Sequence, residues 1–168
     1  MGGPNRITHP LKPIFDERSR ALVLGTIPSP ASRTAGFYYG HPQNRFWKVL
    51  AALFAEPEPR TIEERTAFLV THGIALWDVL SSCTIEGASD ASIANPVPND
   101  LSVIINAAPV RTVFTTGAKA SALYRRFNAP LLEQLPHIAL PSTSPANARM
   151  RLADLVEAYR PLQNALRP

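Results

Sequence analysis

The stretch LVLGTIPSPAS, Leu22 to Ser32, decides the fold. The apolar run Ala21–Leu24 ends at once on a glycine, then on prolines and serines. That is the pattern of a buried strand feeding a stiff, shaped turn. Three more short apolar runs, Ile74–Trp77, Thr112–Phe114 and His137–Leu140, close in the same way on a turn or a small polar residue. Helical patterns lie between them. From Arg45 to Ala55 the apolar residues Phe46, Trp47, Leu50, Leu53 and Phe54 share one face. Thr61 to Thr71 opens with a threonine and carries Glu64 three residues later, the spacing of a capping box. Asn99-Asp100 offers a cap for a helix running to Ala107, and Gly117–Phe127 and Pro145–Leu166 complete the set. Alternating strand and helix predict an α/β layer fold around a largely parallel sheet. Ser81–Pro98 is polar and proline-bearing and reads as an unusually long connection.

In open α/β sheets, ligands bind beyond the carboxyl ends of the strands. Here those ends carry Gly25-Thr-Ile-Pro-Ser29, Asp78, Thr116-Gly117 and Pro141-Ser-Thr-Ser144. Turn-forming and polar residues therefore gather on one edge of the sheet, which is the expected site.

The 168 residues fit one domain, with residues 1–19 expected as an N-terminal tail and 20–168 as the folded unit. The lone cysteine, Cys83, excludes a disulfide framework, a four-cysteine zinc site and a four-cysteine iron–sulfur cluster. His9, His41, His72 and His137 are scattered without ligand spacing, so no metal is expected. No apolar run is long enough to span a membrane and no leader pattern opens the chain, so a soluble, cytoplasmic protein is expected. Lys+Arg 17 against Asp+Glu 13 gives a net charge of +4, which permits a polyanionic partner without demanding one. No Gly-x-Ser-x-Gly elbow occurs, and Gly117-Ala-Lys119 lacks the upstream glycine of a phosphate loop.

Four stretches carry a resemblance: Leu22–Ser32, FYYGHPQNRFW at Phe37–Trp47, GIALWDVLSSC at Gly73–Cys83 and LPSTSPANA at Leu140–Ala148. In this order and spacing they resemble the uracil-DNA glycosylase superfamily, most of all its hypoxanthine-DNA glycosylase branch. The resemblance implies a three-layer α/β/α sandwich around a four-stranded parallel sheet. It also implies excision of a deaminated base from DNA without metal or organic cofactor. Two positions depart from the family pattern. Ile27 stands where the mismatch-specific branch has a water-positioning Asn, and Leu140 stands where relatives begin their third motif with His or Asn.

A base must be rotated out of the duplex before its glycosidic bond can be cut. The site then needs an aromatic face, partners for the base edge and a water near C1′. Of Phe37, Tyr38 and Tyr39, the resemblance favours Tyr39 as the stacking platform, with Thr26, Ile27, Phe46 and Asp78 as further base-binding residues. Asn44 is the expected catalytic residue, acting through its carbonyl oxygen on water and on developing positive charge; an Asn here also suits a helix cap or first turn. Asp78 or Asp90 could accept from a purine N1–H. Ser29, Ser142 and Ser144 suit phosphate contacts, and Pro145 and Asn147 lie where relatives enter the minor groove. Arg45 and Arg149 are expected to neutralise one or two phosphates, giving a shallow salt slope of about −2 to −4.

Together with these residues, the resemblance implies a monomeric, monofunctional glycosylase acting on hypoxanthine or uracil in DNA. A catalytically silent lesion binder on the same fold is the alternative, and a hydrolase of free nucleosides is a third reading.

Overall fold

The computed structural model describes residues 4–168. Four strands, β2 (Ala21–Gly25), β3 (Ile74–Asp78), β6 (Thr112–Thr116) and β7 (His137–Leu140), form a parallel sheet in the order β3-β2-β6-β7. Its three inner registers pair Ala21 with Ile74, Ala21 with Thr112 and Val113 with His137. β2, β3 and β6 are buried at every position, as strands covered on both faces must be. The fold therefore matches the expected α/β class.

The order reverses between β2 and β6. The chain leaves β2 for β3 on one side, then returns past β2 to β6 and on to β7. Right-handed crossovers put the two sets of connections on opposite faces, which opens a crevice at that switch point. The connection from β2 to β3 carries α1 (Pro30–Ala35), α2 (Phe46–Leu53) and α3 (Ile62–His72). Between β3 and β6 lies α4 (Ser102–Ile105), and α5 (Ala118–Phe127) joins β6 to β7. The chain ends in α6 (Leu152–Ala158), which packs on α2, and α7 (Arg160–Ala165).

The helices follow their local chemistry. Thr61 Oγ1 accepts from the Glu64 N–H at 3.0 Å and the Glu64 carboxylate accepts from the Thr61 N–H at 3.3 Å, which completes the expected capping box of α3. α1 was not expected. Its signals are Ser29, whose hydroxyl accepts from the Ser32 N–H, and Pro30 at the first helical position. The expected helix Pro145–Leu166 is instead a run of turns followed by two short helices. Arg45 draws the carbonyls of Ser144, Asn147 and Met150 onto its guanidinium, which holds that stretch out of helix. Pro161 lacks the N–H and crowds the preceding turn, so α6 stops and α7 restarts around Tyr159.

The largest departure is a second, antiparallel sheet of order β1-β4-β5, built from β1 (Asn5–Thr8), β4 (Leu80–Ile85) and β5 (Ala94–Pro98). β4 and β5 occupy the segment expected as a long loop. β5 carries Pro96 and Pro98, which an edge strand tolerates. Residues 5–14, expected within a tail, pack on the fold instead. Asn5–Thr8 pair with β4, and Ile14 bridges Leu76 on the open edge of β3.

Candidate active site

A cavity of about 310 Å³ opens at the switch point, near the lower end of the roughly 300–1,000 Å³ usual for small-molecule clefts. The end of β2 and the turn after it supply Gly25 to Ser29, and β3 and β6 supply Asp78 and Thr116. The aromatic stretch supplies Tyr38, Tyr39, His41 and Asn44, and the turn after β7 supplies Ser142 to Ala146. An outer wall of Ile85, Gly87, Ala88 and Asp90 comes from the end of β4 and the connection that joins it to β5.

Tyr39 sits at φ +52°, a left-handed conformation that bulky side chains rarely adopt and that costs on the order of 1–3 kcal/mol. Two contacts hold it there. Its ring stacks on Phe46 at 3.9 Å between centroids and 11° between planes. Its hydroxyl is hydrogen-bonded to Thr116 Oγ1 at 2.9 Å. One face of Tyr39 is thus backed by Phe46, leaving the other for the cavity. Phe46, expected to touch the base, is fully buried behind Tyr39 and does not line the cavity. Burial, with Asp78 nearby, pushes the Tyr39 phenol well above its ordinary range, so it stays protonated and is no base.

Asn44 lines the cavity just before α2. Its Oδ1 accepts from the Phe46 N–H at 2.9 Å and from the Thr143 hydroxyl at 2.8 Å. A carbonyl oxygen has two lone pairs, and both are engaged. The expectation that this oxygen would work on water therefore needs correction: the atom left for a ligand is Nδ2, a donor. Thr143 is 1 % exposed, and its carbonyl accepts from the Arg45 N–H at 3.1 Å, so both ends of the Asn44 clamp are fixed.

Gly25 has a specific reason to be glycine. A Cβ there would lie 2.5 Å from Asp78 Oδ1 and 3.1 Å from the Tyr39 hydroxyl. Asp78 is 4 % exposed, and Oδ2 is hydrogen-bonded to His9 Nε2 at 2.8 Å. The backbone at Asp78 is braced by Asn99, whose Nδ2 donates to the carbonyls of Asp78 and Leu80 at 2.9 and 3.1 Å.

The serines are oriented by their own turns. Ser142 Oγ accepts from the Ser144 N–H at 3.1 Å, and Ser144 Oγ from the Ala146 N–H at 3.2 Å. Each hydroxyl proton remains free to donate. Asn147 does not line the cavity; its Nδ2 donates to the Ser142 carbonyl at 2.9 Å and braces this turn. Arg45, expected on phosphate, is committed to three carbonyls of the same loop.

The expected residues Thr26, Ile27, Ser29, Tyr39, Asn44, Asp78, Ser142, Ser144 and Pro145 all meet at this cavity. Leu140, one of the two departures from the family pattern, is buried at the end of β7 and does not line it. Sequence reasoning missed His9, Gly25 as a contact, Thr143 and Asn99. Gly25 and Thr143 lay inside quoted motifs, whereas His9 gave no signal. Among the described residues no cluster of His, Cys, Asp and Glu could hold a metal ion, and no helix is long and apolar enough to cross a membrane.

Comparison with known proteins gives the chain its relatives. The family model of the uracil DNA glycosylase superfamily matches residues 13–163. A hypoxanthine DNA glycosylase of Methanosarcina barkeri is 31 % identical over 154 residues, covering 88 % of this chain and 95 % of that protein. A second protein of that name, from Methanosarcina acetivorans, is 32 % identical over 140 residues, covering 81 % and 85 %. The solution NMR structure of a candidate uracil DNA glycosylase from Methanosarcina acetivorans superposes with a TM-score of 0.76 at 30 % identity, covering 93 % and 98 %. With the matched region running from the chain before β2 to α7, and with its motifs meeting at one cavity, the chain belongs to the uracil DNA glycosylase superfamily.

Proposed function

We propose that the protein is a monofunctional DNA glycosylase that hydrolyses the N-glycosidic bond of a flipped-out deaminated base, hypoxanthine first and uracil second. The observation that carries this is the meeting of the Tyr39 face, the Asn44 amide and the Ser142–Ser144 turn around one cavity. The two relatives named as hypoxanthine DNA glycosylases support the order of substrates.

The flipped base lies on the open face of Tyr39. The serine hydroxyls hold flanking phosphates at the rim. As the C1′–N bond breaks, its electron pair leaves with the base, and negative charge builds on ring nitrogens and carbonyl oxygen. The Nδ2 protons of Asn44 are the preorganised donors for that charge. Positive charge builds on the sugar as an oxocarbenium-like centre, which an ordinary water captures with little help from a base. The water oxygen bonds to C1′ and its proton is released, while the departing base takes one up. This chemistry needs no strong general base, in keeping with an apolar Ile27 in the cavity.

A covalent lyase step would need an amine. Lys12 and Lys48 are exposed, and Lys119 lines only a neighbouring hollow, outside the main cavity. Release of free base with an intact abasic strand is expected.

Duplexes holding hypoxanthine, uracil, xanthine or thymine at one site, treated with protein and then with alkali, test the reading. Strand cleavage after alkali at hypoxanthine supports it. Binding without cleavage at any base would favour the silent lesion binder instead. Trapping of a covalent DNA complex by borohydride would overturn the monofunctional assignment.

A further inference from the structure

We infer that His9 is a positioning residue that holds Asp78 as an acceptor facing the cavity, and that this pair selects bases carrying a ring N–H where adenine and cytosine carry a lone pair. The inference rests on the glycosylase reading and names how its substrate class is recognised.

His9 reaches the site from the antiparallel sheet. Its backbone N–H donates to the Ser81 carbonyl at 2.7 Å, just beyond β1. Its Nδ1 accepts from the Leu11 N–H at 3.2 Å. An Nδ1 that accepts carries no proton, so the ring proton is on Nε2. Nε2 then donates to Asp78 Oδ2 at 2.8 Å. The side chains of His9 and Asp78 are 4 % and 6 % exposed. The imidazole lies among Tyr38 and Trp77, with ring centroids 6.0 and 6.4 Å away. The chain Leu11 to His9 to Asp78 thus fixes both the tautomer of the imidazole and the rotation of the carboxylate.

Asp78 Oδ1 is left over. It has no hydrogen-bond donor among the described residues, and it lies where only a glycine at position 25 gives it room. Asp78 lines the cavity and its side chain is 6 % exposed, so the open side of this oxygen is the cavity, and a ligand held there can supply the missing donor. An ionised carboxylate only accepts. Hypoxanthine brings N1–H and uracil brings N3–H. Adenine and cytosine bring a lone pair at the same ring position, which faces the carboxylate with like polarity. Deamination itself makes the difference, by turning a ring acceptor into a ring donor. Guanine and thymine also carry such an N–H, so this contact separates deaminated bases from adenine and cytosine alone.

The experiment compares single-turnover excision of hypoxanthine with that of unsubstituted purine, which has the ring lone pair and no N1–H, in otherwise identical duplexes. Wild type, Asp78→Asn, His9→Leu and His9→Gln are measured, with thermal melts to confirm folding. In Asp78→Asn the His9 proton still takes the side-chain oxygen, so an amide N–H faces the cavity. The hypoxanthine-to-purine ratio should then fall by about 100-fold or more, toward the roughly 10⁴-fold discrimination of sites built around one substrate N–H. His9→Leu should lower the ratio by about 10-fold, and His9→Gln, whose amide can still donate to Asp78, should restore most of it. An unchanged ratio in folded Asp78→Asn overturns the inference, as does His9→Leu slowing both substrates equally. If wild type excises neither base, the glycosylase reading fails, and the ratio is read in duplex affinity instead. A binding preference for hypoxanthine that Asp78→Asn abolishes still supports the pair, and no preference overturns it as well.

Discussion

The two sheets meet at the cavity and contribute in different ways. The parallel sheet offers strand ends: Gly25, Asp78 and Thr116, with the turns that follow β2 and β7. β2, β3 and β6 are buried throughout, and these site residues lie at the strand ends or in the turns that follow them. The antiparallel sheet, with the connection from β4 to β5, offers an outer wall at Ile85 to Asp90 and a short crossing at residues 8–11 that delivers His9. Its strands β1 and β5 are mostly exposed, and neither is followed by a motif. We expect bond breaking to depend on the parallel sheet and the choice of base to depend on contacts the antiparallel sheet makes to it.

The sharpest way to break that division is Asn44. Removing one preorganised polar group costs about two to three orders of magnitude in rate, so Asn44→Ala should lose that much single-turnover excision with binding retained. Asn44→Asp separates the two possible directions of the amide. A carboxylate at 44 can keep the bonds from Phe46 N–H and the Thr143 hydroxyl, but it offers an acceptor to the cavity. If Nδ2 donates to the departing base, Asn44→Asp should be nearly as slow as Asn44→Ala. Activity near or above wild type, rising with pH as a carboxylate ionises, would return the work to water activation.

Gly25→Ala tests the same side by crowding. The new methyl would meet Asp78 Oδ1 at 2.5 Å, so the carboxylate or the strand end must move. We expect about 100-fold slower excision and a stability loss of about 1–3 kcal/mol, the usual range for overpacking. Excision rates and chemical denaturation measure the two together. Wild-type excision would mean that the close approach of Gly25 and Asp78 is not needed.

The legibility of the sequence follows the same division. Buried parallel strands read as short apolar runs because both faces are covered, and their ligand edge follows from the strand ends alone. Helix α3 was legible because its capping box is local chemistry. The antiparallel sheet was not legible. In β4 buried and part-buried residues follow no clean alternation, and β5 holds two prolines and no buried residue. That Asn44, Tyr39 and the serines share one cavity was legible from their motifs. The direction of the Asn44 amide was not, because it depends on Thr143, which lies 99 residues away. His9 was invisible for the same reason: its partner Asp78 is 69 residues away, and a lone histidine before a proline carries no local signature.

Arg45 sharpens what the third-motif turn is for. Its guanidinium binds the carbonyls of Ser144, Asn147 and Met150, and it has little left for DNA. Arg45→Ala should therefore act through the fold. We expect a loss of about 2–3 kcal/mol, on the scale of one or two hydrogen bonds to a charged group, and roughly 10-fold slower excision as the turn loosens. The salt dependence of DNA binding should not change. A slope shallower by about one, measured by fluorescence anisotropy at several salt concentrations, would place Arg45 on a phosphate after all.

The smallest expected effect concerns the serines of the same turn. Ser142 and Ser144 each accept a backbone N–H, which fixes their oxygens and leaves their protons to donate outward. Neutral donors bind phosphate without displacing many counterions, so they add affinity but almost no salt dependence. With Arg45 committed internally and a net charge of only +4, few phosphates are neutralised, and the wild-type slope should be about −2 or shallower. Replacing both serines with alanine should weaken duplex binding by about 10-fold, the scale of one or two neutral hydrogen bonds. The slope should stay within a few tenths of wild type because no charge is lost. Both turns also lose a side-chain acceptor, so a thermal melt is needed to separate weakened binding from a loosened loop. Unchanged affinity in a folded double variant, or a wild-type slope steeper than about −6, would show that charge rather than the hydroxyl turn holds the DNA.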